Sequence, residues 1–226
     1  MFPQPPDLPF AGMRELSVEA LVDRVLTRNP SVAQMVAAWQ AASARYPQVT
    51  SLDDPMFAAT VGPDTIAPDD PSVHFAYRFE IAQKYPWPGK LALRGQNALA
   101  EASAAGNDVE DTLLQLVQSA KEAFYEYFLV YRAIAVNEES LGLLREFREN
   151  AKTRYDNGLV PQQDIFQADV EIGRQQQRGL TLKRMRQVAV ARINTLLNLS
   201  PDVPLPPPPK EVRVADGLPE AQALRE

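Results

Sequence analysis

Residues 83–101 read QKYPWPGKLALRGQNALAE, and the fold turns on their first half. Upstream, apolar and polar residues alternate; beyond Gly89 comes a long run without proline. A chain whose apolar period changes from two to about 3.6 is passing from strand to helix. Tyr85 and Trp87 sit at that joint, interleaved with Pro86 and Pro88.

Downstream, the prolines draw the map. The chain has 20 of them, crowded at 3–9, 47–88 and 201–209, with none from 89 to 160 or from 162 to 200. A proline inside a helix costs about 3 kcal/mol, so both clean windows predict helices, 89–156 and 162–199. The first would run on the order of 100 Å at 1.5 Å per residue, against an ordinary mean of about 11–12 residues. Leu113, Ala120, Tyr127, Ile134 and Leu141 recur every seventh place, with Val117, Phe124 and Tyr131 four after the first three. That spacing is a coiled-coil seam, flanked by charges such as Lys121, Glu122, Glu138 and Arg145. The small residues of ALAEASAAG (98–106) predict a closer approach of neighbouring backbones at that end. The second window repeats the seam through Ile165, Ile172 and Ile193 and through Ala168, Leu182, Ala189 and Leu196. Gln175, Gly179 and Arg186 weaken it, as a face meeting water would. Between the windows, Asn157–Gly158 supplies a residue able to take φ > 0 at a helix end, and Pro161 suits the first turn of the next helix. The reading is a long antiparallel helical hairpin with its tip at 156–161.

Upstream of the joint, VHFAYRFEIAQKY (73–85) alternates with one lapse, at Gln83, and MFAATV (56–61) alternates more weakly. The turn-forming GPDTIAPDDPS between them makes a β-hairpin of strands 56–61 and 73–85. Its apolar face either packs on a soluble core or meets lipid. Membrane strands need about 9–11 residues, alternate apolar-out and polar-in, and carry Tyr and Trp at the interface. On that reading Phe57, Val73, Phe75, Tyr77, Phe79, Ile81, Tyr85 and Trp87 are lipid-facing or interfacial, while Arg78, Glu80 and Lys84 face water. Two strands cannot cross a membrane alone, because unpaired edges in hydrocarbon are too costly, so several copies must share one barrel. Earlier still, SVEALVDRVLTRNP predicts a helix at 17–29 capped by Ser17 and ended by Pro30. A second helix follows at 31–46, before Pro47; with the last helix it adds up to the length of the long one, so the two could stack end to end beside it.

The bulk numbers agree with a non-catalytic reading. A net charge of −6 argues against a nucleic-acid surface, and RGLTLKRMR (178–186) reads as a solvated helix face. With no cysteine there is neither a disulfide framework nor a thiolate metal site within this chain. No apolar run reaches the roughly 18–20 residues of a membrane-spanning helix. His74 has no companions for a metal, and Asp53–Asp54 and Asp69–Asp70 lie where Asp commonly caps turns. Gly89 and Gly95 lack the pattern of a phosphate loop. No catalysis, cofactor or metal is expected. MFPQPPDLPF lacks the basic and apolar regions of a signal peptide.

Four stretches in order carry a family resemblance: LSVEALVDRVLTRNPSV (16–32), QKYPWPGKLALRGQNALAEA (83–102), RYDNGLVPQQDIFQADVE (154–171) and ARINTLLNLSPDVPLPPPP (191–209). Over nearly all of 14–209 the chain resembles the TolC-like outer membrane efflux proteins, the exit ducts of tripartite pumps and type I secretion systems. The resemblance implies one repeat of a two-repeat subunit, three subunits sharing a twelve-stranded β-barrel on a long α-helical barrel in the periplasm. It implies a Pro-rich segment at 1–13, one repeat at 14–200, a Pro-rich linker at 201–217, and the start of a second repeat at 218–226. The absent signal sequence fits the same account, so the chain is expected to be a fragment or an incomplete gene product. By resemblance, Tyr155, Asn157, Gly158, Leu159, Val160 and Asp164 would meet a periplasmic adaptor protein, which links the duct to an inner-membrane pump; Gly158 and Asp164 would also make and cap the turn. Pro161 departs from the small polar residue often found there. The implied role is a passive conduit for small molecules, metal ions or proteins. The competing reading is a soluble or periplasmic coiled-coil scaffold or adaptor, and the aromatic hairpin 56–85 is what separates the two.

Overall fold

A computed structural model describes residues 9–10, 12–62 and 76–212. The order is α1 (Val18–Arg28), α2 (Pro30–Ser43), α3 (Arg45–Thr50), β1 (Met56–Gly62), β2 (Ala76–Ala82), α4 (Lys90–Asp156) and α5 (Gln163–Leu196). The fold is mainly α, a long antiparallel helical hairpin with one two-stranded antiparallel sheet. The chain divides into two compact units, Met1–Pro30 with Leu113–Glu226, and Ser31–Thr112.

In the first unit, α1 begins where Ser17 Oγ accepts the Ala20 N–H at 3.2 Å. Its Leu21 and Val25 lie four apart on one face and are fully buried. They join Phe10 and Leu16, then Ala120, Ala123, Phe124 and Tyr127 of α4, Ala189 and Ile193 of α5 and its C-cap Leu197, in one core. The Pro-rich stretch beyond α5 returns to that core. The Leu16 N–H donates to the Pro207 carbonyl (2.9 Å), the Tyr127 hydroxyl donates to the Pro206 carbonyl (3.1 Å), and Val203 is buried. Asn194, wholly buried, donates from Nδ2 to the carbonyls of Pro201 and Val203.

The seam of α4 is partly where the heptads put it. Ala120, Phe124 and Tyr127 are buried and Leu113, Val117, Ile134 and Leu141 half-buried, but Tyr131 is exposed, and Val130 and Asn137 are buried instead. The steps 124–127–130 are two threes in a row, a stammer, which brings Val130 inward one residue before Tyr131; the inward line then keeps the repeat of about 3.5 residues through Ile134, Asn137 and Leu141. On α5, Ala168, Leu182, Ala189 and Ile193 are buried. Gly179 is not a weak spot facing water. A Cβ there would lie 3.0 Å from Asn137 Nδ2, so the missing side chain makes room for that buried amide.

In the second unit, α2 does not run on to 46. Proline clashes with the carbonyl four residues back, and Pro47 reaches back to Ser43, where α2 ends. Pro47 itself sits in the first turn of α3, where its missing N–H costs nothing. Both helices run antiparallel to the first turns of α4: a Cβ on Gly106 would lie 3.5 Å from Trp39, and one on Gly95 would lie 2.9 Å from Thr50 and 3.0 Å from Tyr46. The small residues at 95–106 thus permit close backbone approach.

Candidate functional site

Two features could carry function: the β-hairpin with its joint to α4, and the tip between α4 and α5. In the hairpin, Phe57 pairs with Ile81 and Ala59 with Phe79 on one face, and Ala58 with Glu80 and Thr60 with Arg78 on the other; Val61 pairs with Tyr77 further along the ladder. Phe57 and Phe79, one diagonal apart, stack at 6.3 Å. This aromatic face is uncovered: Phe57 and Phe79 are each 67% exposed and Ile81 77%. Each such side chain forgoes roughly 1.5–3 kcal/mol that burial would supply. Val73 and Phe75 lie outside the described residues, as do 213–226.

The ladder stops at Met56–Ala82, short of the expected 85. Pro55 precedes β1 and has no N–H to donate, and across from it stands Gln83, the one lapse in the alternation. Gln83 Nε2 donates instead to the Asp53 carbonyl at 3.4 Å. Tyr85 and Trp87 follow outside the strand, 72% and 85% exposed. The switch to helix is then made by Trp87–Pro88–Gly89–Lys90. Lys90 N–H donates to the Trp87 carbonyl (3.1 Å) and Gly89 has φ +87°. That is a type II turn, with proline at its second position and glycine at its third, where φ must be positive.

At the tip, the Leu159 N–H donates to the Arg154 carbonyl (2.9 Å) and the Gly158 N–H to that of Tyr155 (2.8 Å), with Gly158 at φ +71°. This crossed pair is a Schellman motif. Asn157 Nδ2 adds a bond to the Thr153 carbonyl at 2.8 Å. The same closure ends α5, with Asn198 at φ +54° in the glycine's place and Leu199 N–H donating to the Asn194 carbonyl. On the α5 side, Pro161 precedes the N-cap, Gln162, whose side chain makes no capping bond. Asp164 lies in the first turn rather than at the cap, so its charge meets the positive end of the helix dipole. Tyr155, Asn157, Gly158 and Leu159 are exposed, Val160 and Asp164 half-buried. Below the tip, Arg148 Nε donates to Asp169 Oδ1 at 2.6 Å, tying α4 to α5, while Nη1 donates to the neighbouring Glu149 at 3.0 Å. That bond to Asp169, first among the causes, raises the pKa of the Arg148 guanidinium further.

Two further exposed apolar sets escape the heptad reading. Leu129, Val136 and Leu143 of α4 stand seven apart, and Phe166 and Val170 lie four apart at the start of α5. Their spacing is visible in the sequence as a second stripe beside the seam. Among the described residues, no helix is long and apolar enough to cross a membrane, and no three His, Cys, Asp or Glu side chains come together.

No protein-family model matches the chain, and no curated protein matches it. Solved structures do. The outer membrane protein VceC from Vibrio cholerae is 17% identical, with a TM-score of 0.68 over 88% of this chain and 51% of its own. A membrane protein from Pseudomonas aeruginosa is 18% identical, with a TM-score of 0.72 over 97% of this chain and 55% of its own. The Campylobacter jejuni CmeC outer membrane channel is 13% identical, with a TM-score of 0.68 over 89% of this chain and 45% of its own. The chain spans about half the length of the solved structures it matches. Its fold is therefore one shared with about half of the chain in these membrane proteins.

Proposed function

We propose that this chain is part of a TolC-like outer membrane channel, a passive conduit for export with its helices in the periplasm. The observation that carries the reading is the uncovered aromatic face of β1–β2, backed by a polar face bearing Arg78 and Glu80. Such a two-sided ribbon suits a barrel wall with lipid outside and water within. The likeness in fold to outer membrane proteins supports the same reading. Each chain supplies two strands, so a twelve-stranded barrel would take six such repeats, as three subunits of two repeats each or as six single ones. The tip residues Tyr155, Asn157, Gly158, Leu159, Val160 and Asp164, with Phe166 and Val170 beside them, would dock a periplasmic adaptor and through it an inner-membrane pump. Its cargo would be small molecules, metal ions or proteins, and the duct itself would do no chemistry.

The test is flotation with neutral phosphatidylcholine vesicles, followed by conductance across a planar bilayer. The chain is expected to float and to give stepwise conductance. The triple variant Phe57→Asn, Phe79→Asn, Ile81→Asn should keep its helical circular dichroism yet stay in the soluble fraction. Equal partition of the chain and its variant would sink the channel reading and favour a scaffold.

A further inference from the structure

Beneath the strand-to-helix joint, within the second unit, lies an open groove of about 760 Å³. Lys90, Arg94, Asn97 and Glu101 line it from α4; steps of four, three and four put them on one helix face. Arg45 faces them from α3. Glu101 is already engaged, accepting from Asn97 Nδ2 (2.9 Å) and from Arg45 (3.3 Å). Lys90 and Arg94 make no ion pair among the described residues. The groove therefore holds three cations against one carboxylate, with Val49 and Leu93 as an apolar wall.

The placement of these cations runs against helix stability. The N-terminus of a helix carries partial positive charge and favours acids. Yet the first turn of α4 has no acid, and it opens with Lys90, followed one turn on by Arg94. A local rule broken without internal compensation marks a place where the chain serves something outside itself. What that arrangement stabilises is an anion, which would be held by two unpaired side-chain cations and the positive end of the helix together.

We propose that this groove binds the phosphodiester of an anionic phospholipid, with Lys90 and Arg94 on the phosphate and Leu93 and Val49 along the adjoining acyl chain. Trp87, three residues before Lys90 and 85% exposed, is the kind of side chain that settles at headgroup level. The choice of a lipid as the source of the phosphate rests on the membrane reading of the hairpin; binding of the anion does not.

The test titrates the whole chain, in dodecyl maltoside, with soluble dihexanoyl-phosphatidylglycerol, with the phosphatidylcholine analogue and with inorganic phosphate. Binding is read by calorimetry. No bilayer is involved, so failure of the hairpin to enter vesicles and failure of this site read out separately. The glycerol lipid is expected to bind at least about ten-fold more tightly than the choline lipid, whose quaternary ammonium is repelled by Lys90 and Arg94, and than inorganic phosphate, which has no acyl chain to lie along Leu93 and Val49. The variant Lys90→Gln, Arg94→Gln should lose that margin, and the swap Lys90→Arg, Arg94→Lys should keep it, with unchanged circular dichroism in both. Equal affinity for the two lipids, or an unaffected neutral variant, would overturn the site. Inorganic phosphate binding as tightly as the glycerol lipid would overturn the assignment to a lipid.

Discussion

Single residues show which kinds of strain the chain has placed where. At Gly158 a Cβ would meet nothing within 4 Å, so the cost of filling it is conformational alone. Gly158→Ala should lower stability by about 1 kcal/mol, the cost of a left-handed backbone for an L-residue. Gly158→Asn should cost less, since Asn198 already closes α5 in that conformation. Thermal melts of the two variants decide it; an Asn variant no better than Ala would mean the crossed hydrogen bonds do not govern the tip. Tyr127 makes a different kind of test. Burial first, then the neighbouring Tyr131, pushes its phenol above the ordinary value of 10.0, against a smaller opposing pull from Arg186. The folded state thus holds this proton more tightly than the unfolded one. Its contribution is fully present below about pH 10 and is lost as pH rises through the folded value. Tyr127→Phe should cost about 1 kcal/mol at neutral pH, through the lost bond to Pro206, and should flatten the alkaline fall of the melting temperature. A variant that falls as steeply as the parent above pH 10 would show the titration lies elsewhere.

Elements show where sequence reasoning reached and where it stopped. The strand-to-helix switch, both proline-free helices and the tip were legible because each is set by local chemistry: Pro88–Gly89 for a type II turn, Asn157–Gly158 for a helix end. The early end of β2 was half legible, since Pro55 and Gln83 are both in the sequence but their pairing needs the register. The pairing of Asn137 with Gly179 was not legible, because nothing in either helix says which turn of the other it meets. That pairing carries a sharp prediction. Replacing a mid-helix glycine by alanine ordinarily gains about 1 kcal/mol. Here the new methyl would press at 3.0 Å on the amide of Asn137, which is 6% exposed. Overpacking of this kind costs about 1–3 kcal/mol, so Gly179→Ala should destabilise. In an Asn137→Ala background the same change should stabilise, and the double-mutant cycle of melts measures the reversal. The ion pairs along these helices matter less: Arg192 with Glu126 and Arg174 with Glu171 are exposed, and such pairs contribute about 0–1 kcal/mol each.

At the scale of the whole molecule, the exposed faces and the buried ones divide the labour. The first unit has a core of its own, while the hairpin of the second leaves its aromatic face bare, a division that suits assembly after folding. How that core closes has a consequence in time. Asn29 bonds to the Leu196 carbonyl across 167 residues, and Leu16 meets Pro207 from farther still. Synthesis proceeds from the N-terminus, so Leu21 and Val25 are made long before the α5 residues that cover them. Until α5 and the proline stretch emerge, α1 has no partners from them, and loop closure of that length is slow to find. This core thus stays open on the nascent chain until α5 and the proline stretch after it have been made, and those two segments act as its latch.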